Sequence, residues 1–91
     1  MGIPMKGSRR VLVDGRRFRY LVKEKTISTA LSNKKVLCVT VQEDAAKPGA
    51  PLRFQAPYGL AVTAQVVEEE VRRAFRLGWK PEARGAVFDL Q

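Results

Sequence analysis

The stretch Arg9-Arg10-Val11-Leu12-Val13-Asp14-Gly15-Arg16-Arg17-Phe18-Arg19-Tyr20-Leu21-Val22-Lys23 consists of two β-rich runs flanking Asp14-Gly15. A type I′ turn needs positive φ at both central residues, and Asp-Gly tolerates this well, so the dipeptide predicts a tight β-hairpin. With Asp14 and Gly15 as the two loop residues, Val13 falls opposite Arg16, Leu12 opposite Arg17, Val11 opposite Phe18 and Arg10 opposite Arg19. Alternation along the strands then sorts the faces. Val11, Val13, Phe18, Tyr20 and Val22 make a core surface. Arg10, Leu12, Arg17, Arg19, Leu21 and Lys23 make a basic outer face with two leucines among the charges.

Outward from the hairpin, residues 1–8 carry two Gly and a Pro without periodicity and read as a loose arm. Residues 24–33 show neither helical nor strand period and read as a connecting loop rich in Ser and Thr. A third strand is expected at about Lys35–Glu43, with Leu37, Val39 and Val41 toward the core. The segment from Ala45 to Pro51 is a turn or loop. Leu52–Gln55 adds a short fourth strand before Pro57-Tyr58-Gly59, and Ala86–Leu90 is a final strand or extended segment.

Between them lies one helix, about Ala64–Leu77, with Thr63 as N-cap and Gly78 just past its end. Ala64, Val67, Val71, Ala74 and Phe75 fall in one arc, which must be buried, while Glu68, Glu69, Arg72, Arg73 and Arg76 fall opposite. Glu68 with Arg72 and Glu69 with Arg73 are i,i+4 pairs in the favourable order. Glu70 sits at the stripe's edge, within reach of Arg73 at i+3. Trp79, directly after the glycine, is placed to fold back on the core. The expected fold class is α+β: an antiparallel β-sheet of three to five strands, one domain over residues 1–91, with the C-terminal helix packed on one face.

The same region carries a resemblance. From Val66 to Leu90 the pattern Val-x4-Val-Arg-Arg-Ala-Phe-x2-Gly-Trp-x-Pro-x3-Gly-x2-Phe-x-Leu resembles the C-terminal end of a group of small uncharacterised bacterial proteins. In that group an amphipathic helix ends in Gly-Trp-x-Pro and is followed by a short aromatic segment ending in Leu. The resemblance covers about 25 of the 91 residues. It implies a shared helix, cap and apolar closure, brings no activity with it, and leaves the basic hairpin outside.

Charge is distributed unevenly. The chain has a formal net charge of +8, and the whole surplus lies in residues 1–35, which hold ten Lys or Arg against two acids; the remainder holds seven of each. A local cationic field suits an anionic partner. No apolar run is long enough to cross a bilayer, and Met1–Lys6 lacks the apolar core of a signal peptide, so the expected setting is cytoplasmic, without membrane contact. The single cysteine, Cys38, cannot form an internal disulfide and reads as a buried structural thiol in a reducing compartment.

The enzyme reading is poorly supplied. The chain has no histidine, no metal-ligand spacing and no Gly-x-Gly-x-x-Gly, Walker or Gly-x-Ser-x-Gly motif, so no metal, cofactor or catalytic residue is assigned. A histidine-free ribonuclease-like toxin would have to work with Arg17, Arg19, Tyr20 and Tyr58. A non-enzymatic interaction domain fits better. Its basic face, Arg10, Arg17, Arg19 and Lys23 with Leu12 and Leu21, would dock an acidic protein partner or a second copy of the chain. The alternative partner is RNA or DNA, held by its phosphates, because Phe18 and Tyr20 project away from that face and leave no stacking platform. A further alternative is a merely solvated outer face of a half-buried sheet.

Overall fold

Asp14 (φ 50°) and Gly15 (φ 80°) both lie in the left-handed region, as the type I′ turn requires, and the strands they join pair in the register read from the sequence. The computed structural model describes residues 7–45 and 49–90. In chain order these form β1 (Arg9–Val13), β2 (Arg16–Ser28), β3 (Asn33–Glu43), β4 (Leu52–Pro57), α1 (Ala64–Arg76) and β5 (Phe88–Leu90). The five strands make one sheet in the order β1-β2-β3-β4-β5. The first three pairings are antiparallel; β4 and β5 run parallel, with α1 as the crossover between them.

The largest departure from the sequence reading concerns residues 24–33. They are not a loop: β2 runs on to Ser28, β3 begins at Asn33, and the two stay in register from Phe18↔Glu43 to Ser28↔Asn33. Beyond Lys23 most side chains of this hairpin are exposed on both sides, so no apolar alternation marks the strands. Backbone pairing alone carries them. Only Thr29–Ser32 turns, with the Thr29 amide donating to the Ser32 carbonyl (2.8 Å) and its Oγ1 accepting from the Leu31 and Ser32 amides (3.3 and 3.0 Å). At about 3.3 Å per residue the 13-residue β2 spans roughly 43 Å, which matches the molecule's 43 Å long axis against 25 and 24 Å across.

The core lies between the sheet and α1. Val11, Val13, Phe18, Tyr20, Val39, Val41, Leu52, Phe54 and Leu90 face Val67, Val71 and Ala74. Leu37, expected to join Val39 and Val41, is only half-buried, because it sits where the hairpin begins to leave the core. Ala64 is exposed at the first turn of the helix.

The helix is closed at both ends by its own sequence. Thr63 accepts from the Val66 amide at its start. At its end the Gly78 amide donates to Phe75 (3.1 Å) and the Trp79 amide to Ala74 (2.9 Å), with Gly78 at φ 101°. This is a Schellman cap. It turns Trp79 back under the sheet, where its ring stacks on Phe75 (5.5 Å, 13°), packs near Phe18 (5.8 Å), and donates through Nε1 to the Ala50 carbonyl (3.1 Å).

Candidate interaction surface

Because β-strand alternation sends every second side chain away from the helix, the far side of the sheet collects the residues that the hairpin parity assigned to it. Arg10, Leu12, Arg17, Arg19, Leu21 and Lys23 all project there, joined by Lys25, Lys34 and Arg53 from β2, β3 and β4. They are not equally accessible. Leu12 is 61% exposed, and Arg17 and Lys23 are exposed with no ion pair among the described residues.

Arg19 is held differently. Its side chain is 12% exposed, donates through Nε to Asp44 (3.1 Å) and through Nη1 to Ser8 (3.2 Å), and shares Asp44 with Arg10 (3.7 Å). Leu21 is half-buried, with Gly7 beside it: a Cβ on Gly7 would stand 3.7 Å from the Leu21 side chain. Gly7 and Ser8 therefore lie against the sheet rather than standing free. The rest of the segment read as a loose arm, residues 1–6, lies outside the described residues. Of the six residues assigned from the hairpin, the accessible ones are thus Arg10, Leu12 and Arg17 near the turn and, farther along β2, Lys23, with Lys25, Lys34 and Arg53 also exposed on this side.

Asp44 was not legible as a partner of this face. Its contact with Arg19 depends on the β2–β3 register, in which Arg19 lies opposite Gln42, and that register follows only once residues 24–33 are known to be strand. The helix side is organised otherwise. Arg72 pairs with Glu68 (2.6 Å) and reaches Asp14 in the hairpin turn (3.1 Å), and Arg73 pairs with Glu70 (3.3 Å). Arg16 donates to Glu43 (2.6 Å) and Glu82 (3.2 Å), with its guanidinium 5.8 Å from both the Phe18 and Phe75 ring centroids.

Hydrogen bonding to these carboxylates raises the Arg16 and Arg72 pKa values above their usual range, through Glu43 first and Asp14 first respectively. Glu82 is held below the usual glutamate value, chiefly by its own backbone amide and then by Arg16. The helix carries three glutamates against three arginines, so the cationic field points out of the opposite side.

Cys38 is half-buried rather than buried, because its position on β3 belongs to the outer face. It borders an open groove of about 680 Å³ that runs past the edge of β4 where β5 ends, lined by Phe54, Ala56, Leu60, Val66, Glu70 and Arg73 among others. The carboxylates along it are engaged: Glu70 with Arg73, and Asp89 with both Nε and Nη2 of Arg53 (3.0 and 3.4 Å).

The four residues of the ribonuclease reading are not brought together. Arg17 and Arg19 project outward, Tyr20 is buried in the core, and Tyr58 lies under Lys35 (5.5 Å), toward the far end of β3. Among the described residues no group of three or more metal-ligand side chains assembles, and no helix is long and apolar enough to cross a membrane. Comparison with models of known protein families, with curated proteins and with solved structures finds no match.

Proposed function

We propose that the chain is a non-enzymatic interaction module that docks an acidic protein surface through Leu12, Arg17, Arg10 and Lys23. The observation that carries this reading is the pairing of an exposed leucine with an exposed Arg17, which makes no ion pair among the described residues, directly across the β1–β2 ladder. Arginine beside an apolar anchor is the composition of a protein interface, where a buried contact needs desolvated area as well as charge. Phe18, Phe54, Phe75 and Trp79 all serve the core, so this face lacks the aromatic platform that base stacking would use. A second copy applied to the same face would set arginine against arginine, which favours a partner of opposite charge over self-association.

The test is affinity capture from nuclease-treated extract with wild-type bait and with Leu12→Asp/Arg17→Glu bait. The two acids face each other across the β1–β2 ladder, which costs up to ~1 kcal/mol, so the double variant should stay folded with a melting temperature lower by no more than about 4–8 °C. The expected result is a salt-sensitive acidic protein retained by the wild type and lost from the double variant. Equal capture by both baits would refute the assignment of this face.

A further inference from the structure

The β2–β3 hairpin outruns the rest of the sheet. β1 pairs with β2 no farther than Tyr20, and β4 accompanies β3 only from Val41 to Val36, where Pro57 ends it. Past that point Thr26↔Lys35, Ile27↔Lys34 and Ser28↔Asn33 form a two-stranded arm of about 10 Å, followed by the Thr29–Ser32 turn. Leu31, at the tip, is 96% exposed on a turn whose backbone is closed by Thr29.

We propose that this arm is a second binding surface, distinct from the Leu12/Arg17 face, and that its ligand is double-stranded DNA, entered groove-first with the lysines against the two phosphate strands.

Three features select that ligand. The first is composition. From Lys25 to Lys35 the charged residues are Lys25, Lys34 and Lys35, with no acid, interspersed with Ser, Thr and Asn and without arginine or aromatic. Lysine and serine are depleted in protein interfaces, whereas lysine, hydroxyl and amide side chains are ordinary phosphate contacts.

The second is disposition. Strand alternation sends Lys25 and Lys34 to one side of the ribbon and Lys35, held over Tyr58, to the other, so both walls of a groove would meet a cation. The third is size. The arm is a two-stranded β-ribbon, an element that the major groove of B-form DNA, about 12 Å wide, admits. The deep, narrow major groove of A-form RNA does not admit it, and single strands would call for a row of stacking aromatics, where Tyr58 stands alone at the base of the arm among the described residues. Leu31 then leads the arm toward the base edges, where an apolar tip meets thymine methyls or a base step.

The experiment is fluorescence anisotropy of the full chain with a labelled 20-base-pair DNA duplex across a salt series. Three lysine–phosphate contacts give a slope of log K against log[salt] near −2.7, roughly a 40-fold loss between 50 and 200 mM salt. Lys25→Gln/Lys34→Gln/Lys35→Gln should lower the magnitude of that slope by about 2.7, and Leu31→Ala should weaken binding several-fold at unchanged slope. Leu12→Asp/Arg17→Glu should bind the duplex with the same slope, so failure of this proposal and failure of the docking proposal are read separately.

Equal affinity for single-stranded DNA or duplex RNA would overturn the groove assignment. Undiminished binding by the triple-lysine variant would overturn the arm. Tighter binding of labelled polyglutamate than of the duplex at the same salt and charge concentration would show an acidic-peptide site instead. The arm contributes no residue to the main core cluster, so the variants retain the fold, which unchanged melting curves check.

Discussion

Gly49 shows how a single residue can be required by a neighbour rather than by its own backbone. A Cβ placed there would stand 2.2 Å from the Pro81 carbonyl oxygen and 2.6 Å from that of Ala83, both main-chain atoms that cannot swing aside. The same close approach lets the Ala50 amide donate to Ala83 (2.7 Å) and the Gln42 side chain to Gly49 (3.1 Å). Gly49→Ala should therefore lower stability by about 1–3 kcal/mol, the range for an overpacked site, and read as a lower midpoint in urea at unchanged slope. Gly15→Ala has open space around it and carries only the cost of φ 80°. The Gly15 requirement is legible locally, as half of an Asp-Gly turn. The Gly49 requirement is not, because the atoms it must avoid lie more than thirty residues downstream.

At the scale of elements, the segment after α1 joins the helix to the sheet through Trp79. Its ring stacks on Phe75 of the helix and packs beside Phe18 of β2, while its indole N–H satisfies the Ala50 carbonyl ahead of β4. Trp79→Ala should cost about 3–5 kcal/mol, enough to unfold a marginal domain. Trp79→Phe keeps most of the apolar area but leaves the Ala50 carbonyl without its donor, an expected loss of about 1–2 kcal/mol measured by chemical denaturation. The helix, its N-cap and its Gly-Trp ending were readable because cap, stripe and stop signal all lie within one local stretch. The long β2–β3 hairpin was not. Its outer half buries only Val36, too little to impose a period of two, so the signal for strand is the cross-strand hydrogen bonding itself, which has no trace in residue order.

Across the whole molecule, the sheet separates two electrostatic environments. On the helix side, acids and bases are largely matched: Glu68 with Arg72, Glu70 with Arg73, Glu43 and Glu82 with Arg16. On the far side, Asp44 and Asp89 face a larger number of cations, and Asp44 alone restrains both Arg10 and Arg19. Asp44→Asn should therefore bind a sulfonate cation-exchange matrix more tightly than Glu69→Gln, although both raise the net charge by one. Elution of the two variants at the same salt concentration would show that the field is not polarised between the faces. The same substitution should cost about 1 kcal/mol of stability, because Arg19 loses a charged partner in a mostly covered position.

That polarity follows from properties at two levels. Residue order alone determined the β-hairpin, its register and its facial sorting, the helix with both caps, and the confinement of the positive surplus to residues 1–35, since each rests on neighbours within about twenty positions. Tertiary structure decided the rest: that β5 joins parallel to β4, that Asp44 and Ser8 take Arg19 out of the free surface, and that residues 24–33 extend as an arm. Each depends on a partner strand or side chain distant in sequence, whose position is set only when the sheet closes over Val67, Val71 and Ala74.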